Sequence, residues 1–316
     1  MRPVSPQFRS FPWAISTVEA ARLAELEPRD VLRFDGNTLP HAPGWVRPET
    51  IESALAGINT YAHGGHPELL CAIAEYAGVE PEQVVLGAGA DDLIMLCGRS
   101  FAGAGDRVAI TDEPTYPMYR IAAWVAGAEV SDEDPALTFC CRPHNPSGSL
   151  VDLPSARPLA VDEAYYEFCG ESAIGMLDQG VIVIRTFSKA FGLASARIGY
   201  ALADRETAAE LNARQSPAPV SSLAVALALA GLRSPPDVSA ILEERERLAG
   251  RLRELDLEPL PSVTNFVFVP LAHARTVDEA LLRRGLLVRG FEDGIRITAR
   301  DAADDDRLVD ALAEIL

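Results

Sequence analysis

The sequence predicts an α/β protein in two domains: residues 31–233 form a large domain around a mostly parallel sheet, and residues 1–30 with 234–316 form a smaller α+β domain. Three observations predict this. The 316 residues correspond to about two folding units at roughly 150 residues each. In the middle of the chain, short β-branched or apolar runs alternate with helical stretches, and the runs are apolar on both faces, as strands covered by helices on both sides must be. After residue 203 the rhythm changes to long helices, then to strands and helices in a different alternation.

In chain order, helix Pro67–Tyr76 carries Leu69, Ile73 and Tyr76 on one face, and strand Val84–Leu86 follows. A helix begins at Asp91, with Leu93, Leu96 and Cys97 sharing a face. Strand Arg107–Thr111 leads to helix Pro114–Val125, and strands follow at Leu137–Cys141, Leu159–Val161, Val181–Phe187 and Ile198–Leu202. Helices Arg205–Arg214 and Val220–Leu232 are separated by the breaker Pro217-Ala-Pro219. One long amphipathic helix runs from Val238 to Leu255, after a boundary near Ser234-Pro-Pro236. The last part reads as strand Asn265–Val269, helix Val277–Arg284, strands Leu286–Arg289 and Ile295–Thr298, and a helix from Asp304. Asp301, Asp304, Asp305 and Asp306 place negative charge at its positive end.

Composition narrows the function classes. A 48% hydrophobic content with 23% charged residues is globular. The net charge of −18 argues against nucleic-acid binding, which needs Lys and Arg to neutralise phosphates, but leaves room for an anionic small substrate held by a few arginines. The five cysteines, Cys71, Cys97, Cys140, Cys141 and Cys169, have no metal-ligand spacing and read as reduced thiols, with Cys140 and Cys141 on opposite faces of one strand. The five histidines lack ligand spacing too; His63-Gly-Gly-His66 reads as a loop, and no metal is expected. There is no run of about 18 apolar residues and no apolar leader, so a cytoplasmic protein without membrane contact is expected. Gly87-Ala-Gly89-Ala-Asp-Asp92 lacks the third glycine of a dinucleotide fingerprint.

The strongest chemical signal is Arg185-Thr-Phe-Ser188-Lys189-Ala-Phe-Gly-Leu-Ala-Ser-Ala-Arg197-Ile-Gly-Tyr200, a lysine directly after an apolar strand in a Ser/Gly/Ala-rich loop. With Gly89-Ala90-Asp91, Pro114-Thr-Tyr116, Asn145-Pro-Ser-Gly148, Asp162-Glu-Ala-Tyr165 and Gly294-Ile-Arg296-Ile-Thr, in that order along the chain, it resembles the class I/II pyridoxal-phosphate-dependent aminotransferases of fold type I. Within that family it resembles the histidinol-phosphate aminotransferase branch.

The resemblance implies pyridoxal 5′-phosphate as cofactor and an aldimine at Lys189. It implies that Gly89, Ala90, Asp91, Ser188 and Arg197 hold the phosphate, where helix-terminal N–H groups favour a dianion, and that Tyr116 stacks on the ring. Asn145 and Tyr165 would face the phenolic oxygen. Asp162 would pair with the ring nitrogen, raising that nitrogen's pKa and keeping the electron sink open. Lys189 would serve as anchor and base. Arg296 would grip the substrate carboxylate through its planar fork, with Arg289 and Asn145 also on the substrate. Tyr61 matches a tyrosine that reaches the neighbouring subunit's cofactor, which implies a homodimer with shared sites.

The implied activity is transfer of an amino group between an amino acid, or a histidinol-phosphate-like amine, and a 2-oxo acid. A decarboxylase resembling threonine-phosphate decarboxylase and a non-catalytic cofactor-binding protein remain open alternatives. Seventeen positions take the chain from Asn145 to Asp162, fewer than the family has, and they include Pro154 and Pro158; the helix the family carries there is expected to be a loop.

Overall fold

The computed structural model describes residues 8–61 and 64–316. In chain order the strands are β1 Leu32–Arg33, β2 Val84–Gly87, β3 Arg107–Ile110, β4 Glu129–Val130, β5 Leu137–Cys141, β6 Leu159–Asp162, β7 Val181–Thr186, β8 Gly199–Leu202, β9 Phe266–Pro270, β10 Leu286–Leu287, β11 Arg289–Gly290 and β12 Gly294–Thr298. The α-helices are α1 Thr17–Ala24, α2 Pro48–Ala56, α3 Pro67–Ala77, α4 Ala90–Phe101, α5 Met118–Ala126, α6 Tyr166–Cys169, α7 Arg205–Arg214, α8 Ser222–Arg233, α9 Ser239–Arg253, α10 Ala274–Leu282 and α11 Ala302–Ile315.

These elements fall into two compact units. Unit 1 comprises residues 8–11, 41–61, 64–143 and 151–236; unit 2 comprises 12–40, 144–150 and 237–316. Residues 31–40 belong with unit 2 because β1 pairs with β10; the unit changes at 11/12, 40/41, 143/144, 150/151 and 236/237, where the sequence places changes only at 30/31 and 233/234.

Unit 1 is built on a seven-stranded sheet in the order β2-β8-β7-β6-β5-β3-β4. The pairs β3–β4, β3–β5, β5–β6 and β6–β7 are parallel; β8 runs antiparallel to both β7 and β2. β5, β6, β7 and β8 are buried along their whole lengths, the condition of strands with helices on both faces. On one face Cys140, Val161, Val183 and Tyr200 pack with Leu69 and Ile73 of α3 and Ala224 and Ala228 of α8. On the other, Phe139, Cys141, Ala160 and Ile184 pack with Leu93 and Leu96 of α4, Tyr119 of α5 and Leu211 of α7. Adjacent Cys140 and Cys141 therefore enter different cores.

The expected helix Pro114–Val125 starts four residues late, at Met118. Pro117 is the physical reason: the ring of a proline disfavours the α conformation of the residue before it, which holds Tyr116 outside the helix. Residues 151–158 form no helix, and Val151 and Leu153 of that segment pack on the core that α3 and α8 cover.

In unit 2, β11-β12-β9 form an antiparallel sheet and β1 pairs with β10 in a separate parallel one. The expected single strand Leu286–Arg289 is thus two short strands in different sheets, since Leu286 pairs with Leu32 and Arg289 with Arg296. α11 begins at Ala302, capped by the Asp301 side chain, which accepts from the Asp304 N–H.

The same helix carries a pH-sensitive carboxyl. Asp305 is fully buried, and burial together with the neighbouring Glu244 pushes its pKa up to about 8. The folded protein therefore holds a proton that the unfolded chain has released, so this site's contribution to stability falls as pH rises from the ordinary carboxyl range toward 8, by up to about 1.4 kcal/mol per pH unit. Asp305→Asn keeps an acceptor for the Arg300 N–H and removes that proton, so its denaturation midpoint is expected to depend less on pH than the parent's between about pH 5 and about pH 8. Equal slopes for the two proteins would place the pH dependence elsewhere.

Candidate active site

The C-terminal ends of the unit 1 strands bring together most of the residues the motifs single out. β2 ends at Gly87, and α4 starts three residues later behind Gly89, which has φ +85°. A Cβ on Gly89 would lie 2.7 Å from Arg197 Nη2, and one on Gly199 would lie 2.7 Å from the Arg185 carbonyl and 3.1 Å from the Gly89 carbonyl carbon. Glycine at both positions lets the turn at the head of α4 and the start of β8 meet. Helix N-terminal N–H groups at this turn form the natural seat for an anion.

Arg197 closes the other side. Its Nη1 donates to Ser188 Oγ at 3.4 Å, and its Nη2 lies 3.2 Å from Asp91 Oδ2. Asp91 Oδ1 in turn accepts from the Tyr116 hydroxyl at 2.8 Å. Ser188 is held by its neighbour, with the Thr186 hydroxyl 3.0 Å from its Oγ.

Asp162 closes β6 and is 4% exposed. Its Oδ2 accepts from the Tyr119 hydroxyl at 2.7 Å and its Oδ1 from the Ala164 N–H at 3.0 Å. Burial outweighs those donors and the nearby Lys189 ammonium, and raises the carboxyl to about 6. A buried carboxyl poised in this way is stabilised as carboxylate by a further cation brought beside it. Lys189 lies in the turn after β7, its Nζ 5.8 Å from the centroid of the buried Tyr165 ring.

Tyr119 is the residue that sequence reasoning missed. It is fully buried, stacks on Phe139 at 5.3 Å and meets Tyr116 edge-on at 5.9 Å. As a lone aromatic it reads as core. The available signal was its spacing of three from Tyr116, which sends two hydroxyls to two carboxylates, Asp91 and Asp162.

Unit 2 holds a second set. Arg296 of β12 is 7% exposed and donates through Nη1 to Asn145 Oδ1 and through Nη2 to the Asp35 carbonyl at 2.6 Å. Its cross-strand neighbour is Arg289, and adjacent Gly290 approaches Asp278 closely enough that a Cβ there would lie 2.7 Å from the carboxylate. Asn37, two residues after Asp35, is 1% exposed and accepts from the Thr298 hydroxyl. Tyr61 follows α2 and is 82% exposed. His63 lies outside the described residues. Among the described residues no group of His, Cys, Asp and Glu is arranged to hold a metal ion.

Fold and site together define a protein with a helix N-terminus suited to an anion at the head of α4, a lysine in the turn after β7 and a buried carboxyl at the end of β6. A family profile described as "Aminotransferase class I and II" matches residues 29–134 and 131–312. Histidinol-phosphate aminotransferase of Caldanaerobacter subterraneus subsp. tengcongensis is 35% identical over 82% of this chain and 85% of its own. Histidinol-phosphate aminotransferase 2 of Archaeoglobus fulgidus is 35% identical over 91% and 94%. The structure of histidinol-phosphate aminotransferase from Sinorhizobium meliloti, in complex with pyridoxal-5′-phosphate, superposes with a TM-score of 0.84 at 26% identity, covering 100% of this chain and 98% of that one. The chain belongs to the class I and II aminotransferases, pyridoxal-phosphate-dependent transaminases of fold type I.

The residues present fit that cofactor on this structure's own terms. A Cβ would fill the cradle at Gly89, the donors facing it are those a phosphate takes, and the buried carboxyl of Asp162 gains from a protonated ring nitrogen.

Proposed function

We propose that this transaminase moves an amino group from a histidinol-phosphate-like amine or an amino acid to a 2-oxo acid, in histidine biosynthesis or a reaction of the same type. The observation that carries this reading is the 35% identity to a histidinol-phosphate aminotransferase across 91% of the chain. The cross-strand placement of Arg289 beside Arg296 supports it, because two guanidinium groups on neighbouring strands suit a substrate with two anionic ends.

Pyridoxal phosphate, when bound, supplies an electron sink for the bonds at the substrate Cα. Lys189 Nζ would hold the cofactor and would be the base positioned to take a proton from the substrate Cα. Asp162 is the counter-charge to the ring nitrogen; Tyr119 and the Ala164 N–H fix both of its oxygens, so no reorganisation is needed during reaction. The turn at Gly89, Ala90 and Asp91, with Ser188 and Arg197, holds the phosphate. Tyr116 would cover the ring and Tyr165 would donate to the phenolic oxygen, the role that the resemblance also implies for Asn145. Arg296 takes the α-carboxylate of an amino-acid substrate, and Arg289 the second anionic group.

The active unit is a homodimer in which Tyr61 reaches the partner's cofactor phosphate. Leu55, Ile58 and Tyr61, spaced by three, are 49%, 59% and 82% exposed; such an apolar surface fits an interface between copies. No helix among the described residues is long and apolar enough to cross a membrane, and we place the enzyme in the cytoplasm.

The test is the visible spectrum of the cofactor-loaded protein, titrated with histidinol phosphate and with a panel of amino acids. Conversion of the band by histidinol phosphate and its return with a 2-oxo acid are expected. Conversion by another donor alone would refute the substrate, and release of carbon dioxide from an amino acid without any return would favour the decarboxylase.

A further inference from the structure

Unit 1 buries a charged pair that no step of the proposed reaction uses. Glu163 directly follows Asp162 at the end of β6, and Arg185 lies in β7, four residues before Lys189. The parallel register sets Asp162 opposite Ile184, and the Glu163 N–H continues it by donating to the Ile184 carbonyl at 2.8 Å. Alternation along the strands then puts Glu163 and Arg185 side by side on the face away from Asp162.

Glu163 is fully buried and Arg185 is 2% exposed. Arg185 Nε donates to Glu163 Oε2 at 3.0 Å and Nη2 donates to Ser172 Oγ at 2.8 Å. The Ser172 hydroxyl and the Ala173 N–H both donate to the Glu163 carboxylate, at 2.8 and 2.6 Å. The flat guanidinium lies 3.4 Å from the centroid of the Tyr166 ring. Each contact is thus a few residues from a group of the site: Glu163 from Asp162, Tyr166 from Tyr165, and Arg185 from Ser188 and Lys189.

Stability alone is a poor reason for such a pair, since desolvating two ions largely offsets their attraction and packed apolar residues of similar volume do as well. What the pair adds is direction: a planar fork on a carboxylate and a ring face admits one arrangement of three backbone segments. We propose that Glu163 and Arg185 are a positioning pair that locks the ends of β6 and β7 together, so that Asp162, Tyr165 and Lys189 keep their mutual spacing. This rests on the roles proposed for those three residues.

The decisive experiment separates folding from positioning. In the cofactor-loaded double variant Glu163→Leu with Arg185→Met, both members of the pair are removed, and the melting temperature is expected to fall somewhat because the Glu167 carboxylate and the Ala173 N–H lose a partner. The kcat is expected to fall by roughly tenfold to a hundredfold, as for a misplacement near 1 Å, with KM little changed. The pH midpoint of the bound cofactor's visible band is expected to shift, which loss of stability alone does not cause. Parental kcat and parental midpoint in the folded double variant would overturn the proposal. Should that variant fail to fold, Arg185→Lys, which keeps the buried charge but loses the fork and the flat face on Tyr166, decides on the same two readouts: a shift in both upholds the pair's role, and parental values overturn it. A parent protein with no Lys189-dependent band would instead refute the assignment of Lys189 itself.

Discussion

Lys189→Ala is expected to lose transamination by about 10³-fold or more, the combined loss of a covalent attachment point and of the general base. The visible band of the bound cofactor should disappear with it. The fold should survive, because the turn that carries the lysine is held by backbone bonds, from the Gly192 N–H to the Lys189 carbonyl and from the Leu193 N–H to the Phe187 carbonyl, and the side chain is not part of either core. Steady-state turnover, absorbance and far-ultraviolet circular dichroism of the one variant check all three points. Turnover near the parental rate would remove Lys189 from the centre of the site.

Asp162→Asn has the next largest expected effect, about a hundredfold in kcat, the scale for deleting one preorganised charge. The amide is nearly isosteric; its oxygen can keep the Ala164 N–H while the Tyr119 hydroxyl reverses to accept from the new NH₂. Loss of activity with an unchanged melting temperature is therefore expected. There is a linked pH effect. The carboxyl lies near 6 in the protein without cofactor, so cofactor uptake by the parent should weaken as pH falls through about 6, where protonation removes the charge that favours a protonated ring nitrogen. The variant has no such acid limb. Titration of the free protein with pyridoxal phosphate across that range measures it, and an acid limb retained in Asp162→Asn would assign it to another group.

The parts of this molecule that were legible in the sequence are those with local causes. Strands β5 to β8 show as runs apolar on both faces because both faces are covered. Helix α7 shows at its observed bounds, its N-cap Asp204 accepting from Glu206 and Thr207 N–H groups. That Lys189, Asp162 and the Gly89 turn lie at or just after strand ends was legible because each comes at the close of an apolar run. Less legible were features that depend on distant partners. β1 is two residues long and exists because β10 lies alongside it, and the run from Leu286 to Arg289 divides because its two halves pair with different strands. Tyr119 and Glu163 look ordinary until the fold brings Asp162 and Arg185 to them across 43 and 22 residues.

The helixless segment after Leu150 has a consequence for how the protein breathes. A helix carries its own ladder of N–H to carbonyl bonds, whereas here the carbonyls of Val151, Pro154 and Ala156 are met by the side chains of Arg142 and Arg157. Side-chain donors can be exchanged for water one at a time, without the cooperativity that makes a helix open as a unit. Amide protons of this strip are thus expected to exchange through small local openings, and those of β5 and β6, which Val151 and Leu153 help to cover, through larger ones. The segment is thus a cover that can loosen by itself and leave the strands that carry Asp162 in place.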